Sequence, residues 1–598
     1  MITSIFDPAL QQVLDQSRAN NGALFPSPED WRDVPIYFLM LDRFNNPTAP
    51  PKNLPFDAPF GQFQGGTYQG VIAQLDYIKN LGFGAIWLSP VLKNRQSDPT
   101  AYHGYGLQNF LTAEPRFASN PANADAELRA LVDAAHQRGL YIIFDIVLHH
   151  AGDVFSYMPG GADTAWQNQT IPIQWRDENG NPNPAWAQAP ANPPLDAAVF
   201  PDELRHNALF TCQGDAFSNG GQPQGDFDSL KGINFGMDNN PSAARAVLIR
   251  AYQYVIARFD VDAFRIDTLK YIPADYERTF GNAMREFALS AGKKNFFTFG
   301  EVYDNEPEIA KFIGRDTQNT NGVVGVDAAL DYPLFFVLPN VLKGLAGTPA
   351  SLAQVFQNRK VQEADVLTSH GEAGQYFVTF LDNHDQAQRF GYTGPVQFPD
   401  QIILGVACLV SLQGVPCLYY GTEQGLSGHK HDNLNDDSMV RESLWGKPGG
   451  GFTPTNPIYL ALQQLMQVRA SQPVLRYGRQ YFRPLSGVDG VIFGLSPYPS
   501  GILAFSRILN DQEIVFVANL NRQAGFNGEV IIDINLHTSA AGMKPLFSNL
   551  RPVAGLANAV LNKPGGSVTI HEVDGSVTNG PALTVQIQLL PGEVQLLA

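Results

Sequence analysis

Four short segments, each an apolar run that ends in charged residues, constrain this chain more than any other feature of it. They read Tyr141-Ile-Ile-Phe-Asp145-Ile-Val-Leu-His149-His150, Val261-Asp262-Ala-Phe264-Arg265-Ile-Asp267, Phe296-Phe-Thr-Phe299-Gly300-Glu301 and Tyr376-Phe-Val-Thr-Phe380-Leu-Asp382-Asn-His384-Asp385. β-Branched and aromatic residues fill both faces of each run, which predicts strands buried on both sides. A buried strand does not tolerate ionisable groups at its centre, so the charges mark its end. Four strands with charges at the same end predict a parallel sheet with one working face, as in a (β/α)8 TIM barrel.

The pattern around these segments agrees. Strands are expected at 36–41, 85–88, 141–147, 261–266, 296–300, 328–332, 376–381 and 417–420. Helices fall between them, such as 124–137, whose Leu128, Leu131, Val132 and Ala135 share one face, and 242–258, with Pro241 placed to start it. Residues 1–31 form a polar N-terminal extension with one short helix at 8–18. From 150 to 231 the chain is rich in Pro, Gly, Asn and Trp and lacks helical periodicity, a long irregular connection of the kind that serves a function. Barrel sequence therefore occupies 32–149 and 232–475. Beyond it, 476–598 carries short alternating runs at 491–495, 503–507, 514–519, 530–534 and 585–590, the pattern of an antiparallel β-sandwich.

Composition narrows the functions open to such a chain. Its 598 residues exceed one compact core, and a formal net charge of −17 argues against nucleic acid or an anionic membrane as partner. Three cysteines, Cys212, Cys408 and Cys417, make no disulfide framework; Cys408 lies in an apolar run and reads as a core residue. The start, Met1-Ile-Thr-Ser-Ile-Phe-Asp-Pro, has no basic region, apolar core or cleavage site, so a cytoplasmic location is expected.

Taken in order, Asp145…His150, Arg265-x-Asp267, Glu301 and His384-Asp385 resemble the four signature regions of the α-amylase family, glycoside hydrolase family 13. Asp42-Arg43-Phe44, Ala85-Ile-Trp87-Leu-Ser-Pro90, Tyr102-His103-Gly104-Tyr105 and Tyr419-Tyr420-Gly421-Thr422-Glu423 are similar too, and the resemblance runs over roughly residues 34–472. It implies a retaining glycosidase acting on α-linked glucose in starch, glycogen or maltooligosaccharides, with α-1,4 bonds expected. In that reading Asp267 is the nucleophile, Glu301 the general acid/base and Asp385 the stabiliser of the distorted sugar. His150 and His384 bond sugar hydroxyls, Tyr105 stacks under the sugar at the cleavage point, and His103 and Lys270 belong to the substrate-binding set. Asp145 orients its neighbours, Arg265 first among them. A small inserted domain after the third strand, here 150–231, forms one wall of the cleft.

The residues can do that chemistry on physical grounds as well. Retention needs two carboxyl groups about 5–5.5 Å apart, one attacking the anomeric carbon and the other giving and later taking a proton. Asp267 and Glu301 end consecutive strands, and neighbouring strands run about 4.8 Å apart. Arg265 precedes Asp267 by two residues and so shares its face, where a fixed cation would keep the nucleophile ionised and aim it. Glu301 has the opposite need, to carry a proton until the bond breaks.

Some features depart from the family. Many α-amylases have Asn where this chain has His149, and that Asn binds a structural calcium. Calcium prefers oxygen ligands, so the resemblance does not carry the site over intact; Asp228 remains as a candidate ligand. The chemistry itself requires no cofactor. Gly106 follows Tyr105 where several relatives have Trp, so the sugar platform differs there. His429-Lys-His431-Asp432 reads as a cleft-rim loop, and Pro448-Gly-Gly-Gly451 lacks the Lys-Ser/Thr of a phosphate loop. Trp166, Trp175 and Trp186 either stack on sugars or pack the inserted domain. The same site also serves α-glucosidases, debranching enzymes and transglycosylases, which loops distinguish. A catalytically silent carbohydrate-binding barrel would have lost Asp267, Glu301 or Asp385, and all three are present.

Overall fold

The apolar runs form eight strands: β1 Ile36–Leu39, β2 Ala85–Leu88, β3 Tyr141–Val147, β4 Ala263–Asp267, β5 Phe297–Gly300, β6 Ala328–Ala329, β7 Val378–Thr379 and β8 Val415–Tyr419. They lie in the order β6-β5-β4-β3-β2-β1-β8-β7, and every pairing is parallel. A parallel bridge between Leu330 and Val378 joins the two ends, with the Asp331 amide donating to the Val378 carbonyl at 3.0 Å, so the ring closes. The computed structural model describes residues 2–19, 24–53, 55–56, 60–219, 225–237, 239–314, 324–364, 366–392, 399–428, 437–487, 492–537, 542–562 and 566–598. His429 to Asp432 lie outside the described residues.

Strand residues are buried on both faces, as a barrel wrapped in helices requires. Helices Ala124–His136 and Ala244–Phe259 present their apolar stripes to the barrel. Helix Pro399–Ser411 is buried from Gln401 to Ser411 and carries Cys408 in its core; all three cysteines are free and buried. Among described residues no helix is long and apolar enough to cross a membrane.

Three expectations about element ends are corrected. Pro241 does not start a helix: it pairs with Gly236 in a short hairpin, and the helix begins at Ala244, whose amide bonds Ser242 Oγ at 3.2 Å. β6 stops at Ala329 because Asp331 accepts from the Leu334 amide at 3.2 Å and caps a short helix, Tyr332–Phe335. β7 is only two residues long because a 3-10 turn, Ala373–Gln375, precedes it.

Between β3 and the Ala244–Phe259 helix the described chain holds short strands and turns. Phe155–Tyr157 pairs with Ile173–Trp175, and His150–Ala151 pairs with Lys231–Gly232. Trp175 belongs to its core: fully buried, its indole nitrogen donates to Asn207 Oδ1 at 2.9 Å. Trp186 packs against the same core at its edge.

The C-terminal region forms one five-stranded and one seven-stranded sheet. Their pairings are antiparallel except that Ile492–Gly494 runs parallel to Val568–His571. Leu503, Phe505, Phe516 and Leu596 join the apolar core of the barrel, and Arg507 Nη1 donates to the Ser411 carbonyl at 2.9 Å.

Candidate active site

Strand register builds the site. β4 pairs with β3 so that Arg265 stands opposite Asp145, and with β5 so that Ile266 stands opposite Gly300. The Glu301 amide continues the ladder with a 2.9 Å bond to the Ile266 carbonyl. Asp267 and Glu301 therefore leave adjacent strands side by side. Arg265, with 1% of its side chain exposed, gathers the carboxylates: Nη1 lies 2.8 Å from both Asp145 Oδ1 and Asp267 Oδ1, and Nη2 pairs with Glu301.

The second oxygen of Asp145 accepts from the Tyr105 hydroxyl at 2.9 Å and from Trp87 Nε1 at 3.1 Å. Tyr105 is also bonded to His384 Nε2 at 2.6 Å, and that nitrogen lies 3.2 Å from Asp385 Oδ2. On the other side of Asp385, Arg441 Nη2 donates to Oδ1 at 3.0 Å. The network thus runs from β4 across the barrel mouth to the end of β7. Asp385 is a third exposed and Glu301 about a sixth, so both reach the opening.

Backbone strain sits at the same place. Thr268, directly after Asp267, has φ +49°, a left-handed conformation that a β-branched residue rarely adopts, at a cost of order 1–3 kcal/mol. That turn aims its amide at Glu301 Oε2, 3.3 Å away.

Burial dominates the ionisation of the acids. It raises Asp267 well above the usual carboxylate range against the pull of Arg265, and the charges of Glu301, Asp145 and Asp385 add to the rise. The expectation that a fixed cation at Arg265 keeps this carboxyl ionised is corrected in one respect: the guanidinium, shared among three acids, lowers the Asp267 value, but burial raises it more. Asp145 is pushed up to about 7 by burial, against Arg265, Tyr105 and Trp87. Burial also holds His384 and His150 well below the ordinary imidazole value and brings His103 down to about 4, so all three rings are neutral near pH 7. A neutral imidazole both donates and accepts, which suits hydroxyl recognition.

The remaining predicted residues fall around this core. His103 stacks on Tyr105 with ring centroids 5.6 Å apart and accepts from its amide at 3.0 Å. His150 has a buried Nε2 without a hydrogen-bond partner. Lys270 is directed at Asp304, 2.8 Å away, at the rim. Three further residues touch the acids without having been singled out for it: Trp87, Arg441 and Tyr332, whose hydroxyl lies 3.5 Å from Glu301 Oε1; Tyr102 joins them through Arg441. Trp87 and Tyr102 stood in family-like fragments, but no motif marked Arg441 or Tyr332.

Among the described residues the expected calcium position is a poor match. The His149 ring stacks on Phe227 at 4.4 Å and its Nδ1 lies 3.4 Å from His150 Nδ1, an aromatic setting where calcium prefers oxygen ligands. Asp228 sits in a left-handed turn, where burial and the charges of Asp215 and Asp163 raise its carboxyl. Among the described residues no three His, Cys, Asp or Glu are grouped to hold a metal.

Known proteins resemble this chain in sequence and fold. An alpha-amylase of Streptomyces lividans is 26% identical over 491 residues, covering 75% of this chain and 50% of its own length. A beta/alpha-amylase of Paenibacillus polymyxa is 28% identical over 505 residues, covering 82% of this chain and 34% of its own. The chain thus spans half or less of the length of these relatives. The crystal structure of an alpha-amylase from Geobacillus thermoleovorans, complexed with acarbose, superposes with a TM-score of 0.61 over 95% of this chain and 99% of that one; at 22% identity the likeness is one of fold. The family model for the alpha-amylase catalytic domain matches residues 38–480, from β1 through β8 and every acid of the site, and the chain belongs to that family of glycoside hydrolases.

Proposed function

We propose that the chain is a retaining glycosidase that cleaves α-1,4-glucosidic bonds in starch- or glycogen-type glucans and maltooligosaccharides. The observation that carries this reading is the gathering of Asp145, Asp267 and Glu301 on one guanidinium at the barrel mouth, with Asp385 facing them. Asp267 and Glu301 leave strands about 4.8 Å apart, which favours the close spacing of a retaining pair over the about 6.5–9.5 Å an inverting pair needs. Asp267, once ionised, attacks the anomeric carbon while Glu301 protonates the departing oxygen. Glu301 then takes a proton from water, which releases the sugar from its ester with Asp267. Asp385 receives hydroxyls of the distorted sugar, and neutral His384 and His150 bond further hydroxyls. The partner is an α-glucan; no step calls for a cofactor.

The test is the product profile from maltoheptaose and soluble starch, with the anomer followed by proton NMR. Mixed short maltooligosaccharides released as α-anomers are expected. β-Anomers would overturn retention, and products longer than the substrate, or glucose alone, would move the reading to a transglycosylase or an α-glucosidase.

A further inference from the structure

Asp385 works in a crowd of like charge. Arg265 is occupied by Asp145, Asp267 and Glu301. The guanidinium that reaches Asp385 belongs to Arg441, which follows the turn Asp437–Val440 beyond β8. Among the described residues its three nitrogens reach three different targets. Nη2 donates to Asp385 Oδ1 at 3.0 Å, Nε to the His384 carbonyl at 3.0 Å, and Nη1 to the Tyr102 hydroxyl at 3.1 Å. One side chain thus holds the carboxylate, the backbone just before it and a phenol from the loop after β2.

That phenol is itself fixed. Tyr102 is buried, and the Arg43 guanidinium lies over its ring at 4.0 Å from the centroid. Arg43 is tied by its Nε to Asp42 at 3.1 Å and by its Nη2 to the carbonyls of Phe60 and Gln62 at 2.6 and 2.9 Å. The anchor therefore leads back to the end of β1.

The other titratable groups that face Asp385 are His384, His103, Tyr105, Tyr332 and Asp267. The two imidazoles are neutral near pH 7, the phenols are uncharged, and Asp267 is acidic, so among the described residues Arg441 brings the positive charge.

We propose that Arg441, anchored by Tyr102, is a positioning residue that aims the Asp385 carboxylate and supplies its counter-charge. This deepens the glycosidase reading and rests on it. An arginine with this job acts on the transition state through Asp385, so its loss lowers kcat; an arginine that merely contacts a sugar would act on KM.

The experiment compares R441Q, R441K and Y102F with the wild-type full chain on 2-chloro-4-nitrophenyl α-maltotrioside, with Tm as the check on folding. R441Q is expected to lose about 100-fold in kcat, the scale of an ångström-sized misplacement, with KM within about threefold. R441K recovers part of the loss, and Y102F falls between wild type and R441Q. Crystal structures of wild type and R441Q read the Asp385 carboxylate directly, and a rotated carboxylate is expected. An unchanged kcat, a loss confined to KM, or an unmoved carboxylate would overturn the proposal. If the wild type cleaves no α-glucoside, the glycosidase reading fails, and the crystal structures still decide whether Arg441 sets Asp385.

Discussion

Replacing Arg265 with Met tests how much of this site depends on one guanidinium. Met keeps volume and removes charge, so the effect is electrostatic rather than a cavity. Arg265 touches three carboxyls, two of them at 2.8 Å, with 1% of its side chain exposed. Removing one partner of a buried ion pair costs about 3–5 kcal/mol. Unfolding entropy of roughly 2.1 cal/mol/K per residue gives a barrel of some 440 residues about 0.9 kcal/mol/K, so each kcal/mol moves Tm by about 1 °C. A drop of about 3–5 °C is expected at pH 7. The gap should narrow at pH 5, and the sign follows from the acids. A carboxyl whose folded value is raised binds its proton more tightly in the native state, so its stabilisation is complete below about pH 4 and is lost as pH rises to the folded value. Asp145 already sits at about 7 beside Arg265, and Asp267 is raised too; without the cation both rise further. At pH 5 both proteins hold the Asp145 proton, whereas near pH 7 the variant carries the larger penalty. Calorimetry at the two pH values measures the gap. An equal Tm at pH 7, or a gap that widens towards acid, would refute the reasoning.

Further expectations concern the acids and their bonds. Glu301→Gln should lower kcat by about 10²–10⁴ on maltooligosaccharides, the range of a lost general acid, and far less on α-maltosyl fluoride, whose leaving group needs no proton; stopped-rate assays on both substrates decide it. In the wild type, kcat/KM should rise with pH through a value above the ordinary aspartate range of about 3.9, because burial raises Asp267; a limb at or below that value contradicts the assignment. Wild-type stability in urea should fall between about pH 4 and 7, where Asp145 ionises in the unfolded chain but keeps its proton in the folded one, and Asp145→Asn should flatten that slope. Tyr105→Phe removes a hydroxyl shared by Asp145 and His384, which should cost about 1–1.5 kcal/mol of stability, measurable in the same titrations.

The barrel was legible because its strands are local and buried. Continuous apolar runs such as Tyr141–Val147 need no partner to be recognised, and their bounds agree with the structure. Legibility failed where a side chain, rather than the apolar pattern, ends an element. Asp331 stops β6 by capping a helix, although Leu330 and Tyr332 continue the apolar run. Ser242 sets a helix start that Pro241 seemed to mark. The parallel strand pair in the C-terminal sheets joins residues about 75 apart, and alternation carries no sign of strand direction.

The candidate site divides along the same line. Asp145, Arg265, Asp267 and Glu301 stand at strand ends, so the period of the strand and the register of its neighbour bring them together, and short sequence segments contain that information. Arg441 and Tyr102 lie 339 residues apart, on loops beyond β8 and β2, the two neighbours of β1, and meet only through the tertiary fold. A lone arginine in a polar stretch looks like any of the 40 basic residues of the chain. Its burial against Asp385 is a tertiary fact with no periodic trace. Two guanidiniums therefore serve four acids, and only one was visible beforehand. The strand-borne one gathers Asp267 and Glu301, the proposed nucleophile and acid/base. The loop-borne one holds Asp385, the proposed stabiliser, and loops are where the activities built on this barrel diverge. Asp385 should thus be the acid whose orientation varies most when the loop beyond β8 is exchanged for that of a relative. Such a chimera, assayed for hydrolysis against transfer, should change its product ratio while Asp267 still forms the glycosyl ester; a chimera with an unchanged ratio and a displaced Asp385 would show that the stabiliser does not set the outcome.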